Sequence, residues 1–334
     1  MTFETLVEEI DYIDIKKEND QELKNVTNNS KDIENGDVFV AIVGKLSDGH
    51  KYIDDAIKNG ASTVVYQNDI DIEEGINYIK VKDTRLALSQ ISNVLEDFPS
   101  KKMTVVGVTG TNGKTTTATT IYYLMREIYG NATNIGTDGT FIGDEHSETS
   151  NTTPDSYLLN RIFNESLEKN IDHVVLEASS HGLVQNRLNG IDFDYGIFTN
   201  LSTEHLDYHK TMDNYFAAKM ILFENSKNKI VNIDDPYGKK AKERFKDAIT
   251  YGKSEGADYR ATEIVKNEKT TDFNVNGVDF TINSIADYEI YNKLAAIATL
   301  NNMGASLEEI SEKLKKFNGL PSRFQYVEND LGKN

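Results

Sequence analysis

The sequence predicts an α/β protein in two successive parts. A small N-terminal α/β domain is followed by a central domain built on a mostly parallel, doubly wound sheet of the P-loop type, with an added β-hairpin region. Three observations carry that prediction. Short apolar runs alternate with segments of helical periodicity along most of the chain. One such run, "MTVVGVTG" (103–110), passes directly into the glycine-rich turn "TNGK" and a helix-forming stretch. Pro99 and the polar "PSKK" interrupt the alternation near residue 100.

In chain order, "DVFVAIVG" (37–44) reads as a strand, "HKYIDDAIKNG" (50–60) as a helix closed by Gly60, and "ASTVVY" (61–66) as a second strand. "TRLALSQISNVLEDF" (84–98) is a longer amphipathic helix. Past residue 100, the strand 103–110 feeds the helix "KTTTATTIYYLMREIY" (114–129), which stops at Gly130. "DHVVLEAS" (172–179), "DYGIFTN" (194–200) and "NKIVNID" (228–234) supply further strands with helices between them, and "YFAAKMILF" (215–223) reads as the middle of a buried helix. The pattern then changes to alternation around Asn276-Gly277 in "TTDFNVNGVDFTI" (270–282), a hairpin signal. Two helices follow at 287–304 and 306–317. The expected divisions are 1–100, 101–320 and a short remainder, 321–334.

Composition excludes several functions. With 334 residues, 38% hydrophobic and 27% charged, the chain has the content of an ordinary globular protein. The absence of cysteine rules out disulfides, zinc-thiolate sites and thiol catalysis. A net charge of -18 argues against a nucleic-acid or anionic-membrane surface, which needs a broad basic face. No apolar run approaches the roughly 20 residues of a membrane span. The acidic start "MTFETLVEEIDYIDI" has neither a basic leader nor an apolar core, so a cytoplasmic location is expected.

Four stretches carry candidate chemistry. In "GVTGTNGKTTT" (107–117), Gly110 and Gly113 allow close backbone approach to phosphates, Lys114 offsets β- and γ-phosphate charge, and the Thr115 hydroxyl suits Mg²⁺. The turn departs from the usual P-loop, because Val108 stands where the first glycine would fall. In "LEASSHGLVQNR" (176–187), Glu177 ends an apolar strand, as a metal-holding carboxylate or as a merely solvated one, and the polar residues after it suit an anionic or sugar-like ligand. His205 and His209 in "FTNLSTEHLDYHKT" (198–211) have a spacing open to zinc ligation or to plain hydrogen bonding. Lys219 lies among Phe216, Ala218, Met220, Ile221 and Leu222, either reaching out to water or buried with a lowered pKa.

These runs, with "NTTP" (151–154) and "NNSKDIENGDVFVAIVGKLSDGHKYIDDAIKNGA" (28–61), closely resemble the Mur ligase family over nearly the whole chain. The match is best to members that add the third residue of the peptidoglycan stem peptide. The resemblance implies an ATP-dependent amide-bond ligase acting on UDP-N-acetylmuramoyl-L-alanyl-D-glutamate and an amino acid through an acyl phosphate. It makes 1–100 a UDP-substrate domain, 101–320 an ATP-binding ligase domain and 321–334 a hinge remnant without the family's third domain. It assigns ATP to Gly110, Thr111, Asn112, Gly113, Lys114, Thr115, Thr116, Asn292 and Arg323. Magnesium falls to Thr115, Glu177, His205 and a CO₂-derived carbamate on Lys219, with Lys114, Glu177, His205 and Lys219 as the catalytic set. Thr152, Thr153, Ser180, Gln185 and Arg187 would contact the muramoyl-dipeptide portion and Ser30 the UDP portion.

Three positions depart from the pattern: Glu204 in place of aspartate, Glu289 in place of an asparagine near the nucleotide, and Ser322 in place of a glycine. An added carboxylate at Glu289 is expected to weaken nucleotide binding by like-charge repulsion. A binding module that holds both ligands without ligating them, and an ATPase or phosphotransferase using the same loop, are the alternative functions.

Overall fold

The structure is a computed structural model that describes residues 1–44 and 47–318, so Ser322, Arg323 and the stretch 321–334 lie outside the described residues. The chain forms two compact units. Met1–Lys102, Pro154–Glu168 and His181–Ile191 make the first, and Met103–Thr153, Lys169–Ser180 and the described residues from Asp192 onward make the second.

The first unit contains strands β1 (Asp14–Lys16), β2 (Val26–Thr27), β3 (Val38–Val40), β4 (Thr63–Tyr66) and β5 (Asn77–Lys80), in the sheet order β1-β5-β4-β3-β2. All neighbours are parallel except β1 on β5. In β3, Val38 and Val40 join one apolar cluster while Phe39 joins another, so both faces are buried and the strand reads as an unbroken apolar run. The helix Thr84–Leu95 starts at Asp83, whose carboxylate accepts from the Arg85 and Leu86 amides, and buries Ala87, Leu88, Ile91 and Val94. The segment expected as one helix at 50–60 begins as a 3₁₀ turn, Gly49–Tyr52, and becomes α-helical only over Ile53–Lys58. Asp48 accepts from the His50 amide at 3.1 Å and holds that tighter entry.

The second unit holds β6 (Thr104–Thr109), β7 (Thr133–Gly136), β8 (Gly139–Ile142), β9 (Glu145–Ser147), β10 (His173–Glu177), β11 (Phe193–Phe198), β12 (Ser226–Asn232), β13 (Ile249–Gly252), β14 (Tyr259–Lys266), β15 (Thr271–Val275) and β16 (Val278–Ile282). Their order is β16-β15-β14-β13-β12-β11-β6-β10-β7-β8-β9. The seven strands from β14 to β7 are parallel, and antiparallel pairs extend both edges. The hairpin turns at Asn276-Gly277 as expected. The β8–β9 extension has no counterpart in the sequence reading, because its strands are short and interrupted by Gly and Asp.

The helices Lys114–Tyr129 and Asp287–Asn302 share a core with β6, through Val106, Val108, Ile121, Met125, Leu294 and Ile297. From β6 the chain winds one way to β7 and β10, then the other way to β11 and β12. The loops after β6, β10 and β11 therefore open together at the point where ligands bind in sheets of this kind. Ala178 donates to the Val108 carbonyl at 2.8 Å, and Thr199 donates to that of Thr109 at 3.0 Å.

Candidate active site

The turn after β6 is fixed by its neighbour after β11. Thr111 and Asn112 donate their amides to the backbone and side-chain oxygens of Asn200, and the Thr199 hydroxyl donates to the Asn112 carbonyl at 2.7 Å. Gly110 passes so close that a Cβ there would lie 1.9 Å from Thr199 Oγ1. Gly113 has φ +85°, and a Cβ on it would meet Asn292 Oδ1 at 2.4 Å. Gly113→Ala is therefore expected to lose about 1–2 kcal/mol of stability, the cost of a left-handed L-residue, and to weaken nucleotide binding. Thermal melting and a nucleotide titration check this, and an unchanged variant would contradict it. The helix Lys114–Tyr129 starts here with its N–H groups aimed outward. Lys114 Nζ donates to the Gly110 and Thr111 carbonyls, both at 2.9 Å.

Glu177 sits at the end of β10, 1% exposed. Its carboxylate accepts from the Thr115 hydroxyl at 3.0 Å, the Thr137 amide at 2.9 Å and the Thr137 hydroxyl at 3.3 Å. Burial pushes its pKa up against the pull of those donors and of the Lys114 charge. Thr152 Oγ1 lies 3.1 Å from Thr137 Oγ1, and Thr153 donates to the Glu177 carbonyl at 2.7 Å. Ser180 Oγ pairs with His209 Nε2 at 2.9 Å.

The helix Met212–Glu224 carries Lys219, which is 1% exposed rather than reaching to water. Its Nζ donates to the Gly110 carbonyl at 2.7 Å, the same oxygen that Lys114 uses. Burial first, and then the Lys114 charge, hold its pKa well below the ordinary lysine range, against Glu204. Tyr215 gathers the surrounding groups: Lys219 Nζ is 4.6 Å above its ring, His209 stacks on it at 4.8 Å and His205 meets it edge-on at 6.1 Å.

Beside the turn opens a cavity of about 830 Å³, reached by Asn112, Gly113, Thr116 and Asn292 and lined further by Asp234 and Tyr291. Its size suits a nucleotide. Asn292 Oδ1 accepts from the Thr117 hydroxyl at 3.5 Å. Glu289 also faces the cavity, but it is ion-paired to the buried Lys293 at 2.9 Å, which compensates the charge expected to repel a nucleotide.

In the first unit, Gln185 Oε1 accepts from Arg187 Nη2 at 3.1 Å and from Arg85 Nη1 at 3.3 Å, and Arg187 Nε lies 3.0 Å from Asp155 Oδ1. Ser30 is buried in a 3₁₀ turn, its carbonyl accepting from Asn59 Nδ2 at 2.8 Å. Sequence reasoning missed Thr137, Tyr215, Arg85 and Lys293. Of these, only Lys293 carried a signal, its i,i+4 spacing from Glu289.

A glycine-rich turn between strand and helix, a buried carboxylate at the end of the adjacent strand and a cavity of nucleotide size are the layout expected of an α/β nucleotide-binding enzyme core. Comparison with known families finds the Mur ligase middle domain at residues 108–300 and the Mur ligase family catalytic domain at 22–95. A UDP-N-acetylmuramoyl-L-alanyl-D-glutamate--2,6-diaminopimelate ligase of Clostridium perfringens is 38% identical over 98% of this chain and 69% of its own length. The enzyme of that name from Fusobacterium nucleatum is 37% identical over 96% and 67%. A solved structure bearing the same ligase name superposes with TM-score 0.80 at 25% identity, over 92% of this chain and 65% of that one. The chain belongs to the Mur ligase family. It spans about two thirds of the length of the relatives it matches. The MurF ligase of Thermotoga maritima, solved with ADP, shares the fold at TM-score 0.66 and 23% identity.

Proposed function

We propose that this protein is an ATP-dependent amide-bond ligase of peptidoglycan precursor synthesis, joining 2,6-diaminopimelate to UDP-N-acetylmuramoyl-L-alanyl-D-glutamate. The observation that carries the reading is the convergence of Lys114, Thr115, Glu177 and Lys219 on one phosphate-type turn, in a chain 38% identical to a ligase so named. The substrate's glutamyl carboxylate oxygen attacks the γ-phosphorus and ADP leaves. The amine nitrogen of the acceptor then attacks the acyl carbon, phosphate departs with that oxygen, and the amine proton passes to solvent. Lys114 trades its loop carbonyls for phosphate oxygens and so reduces the repulsion between two anions.

Thr115 Oγ1 and Glu177 Oε2, 3.0 Å apart, are hard oxygen donors suited to Mg²⁺ beside phosphates. Bound there, the ion would neutralise charge on the transferring phosphoryl group. Lys219 fits carbamylation: burial that lowers its pKa makes the amine readier to give up a proton and attack CO₂, and a carbamate held there would supply hard oxygen donors to a cation, with His205, which meets the same Tyr215 ring, as a further candidate ligand. Thr152, Thr153 and Ser180, and separately Ser30, Gln185 and Arg187, are assigned to the UDP substrate. Arg323 is assigned to the nucleotide phosphates. A cytoplasmic location accompanies these ligands.

The test is ADP release by this chain with ATP, Mg²⁺, bicarbonate and the UDP-dipeptide, with candidate amino acids added in turn. Release that requires the UDP substrate and rises with 2,6-diaminopimelate is expected. Release indifferent to both would mean an ATPase, and binding of both ligands without release would mean a binding module.

A further inference from the structure

One wall of the cavity beside the phosphate turn comes from Phe317 and Asn318, just past the helix Leu307–Leu314, and faces Ile282, Asn283 and Ser284 in the same lining. Asn283 follows the end of β16, which is fixed by its pairing with β15 and by the Thr271 hydroxyl donating to the Ser284 carbonyl at 2.6 Å. From that anchor its Nδ2 donates to the Lys315 carbonyl at 3.2 Å, the Phe317 carbonyl at 3.0 Å and Asn318 Oδ1 at 3.1 Å. The last carbonyls of a helix and of the turn after it have no partner within the helix. Here one side-chain amide takes up those of Lys315 and Phe317.

Phe317 is wedged in place. It is buried, its ring 4.9 Å from that of Tyr123 and 4.8 Å from Lys293 Nζ. Tyr123 belongs to the helix that begins at the phosphate turn, and its hydroxyl donates to the Lys313 carbonyl at 3.3 Å. Residues 313–318 are thus tied to β16 by Asn283 and to the helix Lys114–Tyr129 by Tyr123. Asn283 itself is exposed, so without it the freed carbonyls meet water at little cost to the fold, but the wall loses its tie. A ligand that binds against the docked wall must share the cost of docking it. Resting on the reading of this cavity as the nucleotide site, we propose that Asn283 is a positioning residue for the nucleotide: it holds Phe317 and Asn318 as a wall of the cavity, and nucleotide binding and the docking of this segment form one linked equilibrium.

Hydrogen exchange of the full chain, with and without Mg²⁺ and a non-hydrolysable ATP analogue, tests this beside calorimetric titration of the same analogue. The amides of Lys315, Lys316 and Phe317, which donate to the Ser311, Lys313 and Leu314 carbonyls, are expected to exchange several-fold more slowly once the analogue is bound. Asn283→Leu keeps the size and neutrality of the side chain but donates nothing; it is expected to speed that exchange in the empty chain and to weaken the analogue about tenfold. Tyr123→Phe removes the second tie from outside the cavity lining and is expected to weaken it about threefold. Melting curves establish that both variants fold, and the exchange of the unmodified chain needs neither. Analogue binding that leaves exchange at 315–317 unmoved, or that is as tight in Asn283→Leu as in the parent, would overturn the proposal while leaving the nucleotide site intact. A loss confined to Asn283→Leu, with Tyr123→Phe at the parent's affinity, would mean that Asn283 touches the nucleotide directly and would overturn the positioning role. No binding of the analogue to the unmodified chain would overturn the nucleotide site itself, and this proposal with it.

Discussion

Lys219→Met is expected to abolish phosphate transfer and at the same time to make the protein more stable. The loss is expected to reach about a thousandfold, the upper end of what removing one electrostatic group from a site costs. Stability rises because Lys219 is a buried amine, 1% exposed, on a helix whose other buried residues include Leu222 and Phe223, with its Nζ 4.6 Å above the Tyr215 ring. Methionine fills similar volume without the desolvation penalty, and the Gly110 carbonyl keeps Lys114 as its donor. A gain of about 1–2 kcal/mol is in the range of function-trading substitutions, and each kcal/mol raises the Tm by about 2–4 °C.

The sign with pH follows from the depressed pKa of Lys219. Between its folded and unfolded values only the unfolded chain holds the proton, so the stability of the parent protein rises with pH in that window. The advantage of methionine should shrink as the pH approaches about 10.4, the ordinary lysine value. Melting curves at several pH values in CO₂-free buffer, with ADP release measured in bicarbonate, check both halves. Surviving activity would remove the carbamate from the account, and a Tm that fell would show that the buried amine is stabilised by something other than its Gly110 contact.

Glu177→Gln is expected to cost about 10²–10³-fold in phosphate transfer and to flatten the pH dependence of Mg²⁺-nucleotide binding. Burial raises the Glu177 pKa, so a cation competes there with a proton at higher pH than at an ordinary carboxylate. Affinity in the parent protein should therefore climb with pH, by up to about tenfold per unit below the folded pKa, and level off above it. Glutamine keeps one oxygen as acceptor for Thr115 or Thr137 but titrates nothing. The same raised pKa means that the ionised carboxylate stabilises the empty fold less as the pH rises through that range, a penalty that glutamine removes. Nucleotide titrations from pH 5 to 8 test this, and a glutamine variant with the parent's pH slope would show that another group controls metal binding.

The phosphate turn was legible in the sequence because its chemistry tolerates few alternatives: glycines where the backbone must approach, lysine and threonine at the helix start. Glu177 was legible as a strand-end carboxylate from the apolar run before it, but its metal-holding role was implied only by the resemblance, since the same residue could equally have been solvated. Lys219 was ambiguous for a physical reason. A lysine stem packs equally well against an apolar surface whether its head reaches water or not, and only the neighbouring turn, which supplies the Gly110 carbonyl, decides it. Lys293 reads as half of an ordinary surface pair at helical spacing; it is buried because the helix Asp287–Asn302 packs on Lys114–Tyr129 with Phe317 over the lysine. The clustering of 154–168 and 181–191 with the first unit depends on contacts such as Asn160 Nδ2 to Asn93 Oδ1, which no local pattern announces.

The central claim is that ATP is spent on a carboxylate rather than on water. Synthesis of UDP-N-acetylmuramoyl-L-alanyl-D-glutamate with ¹⁸O in the glutamyl carboxylate, followed by mass analysis of the phosphate released with ADP, tests it directly. The account predicts one ¹⁸O atom in each phosphate, carried over when the acyl phosphate is broken by the amine. Phosphate free of label, released at the same rate as ADP, would mean attack by water and would contradict it.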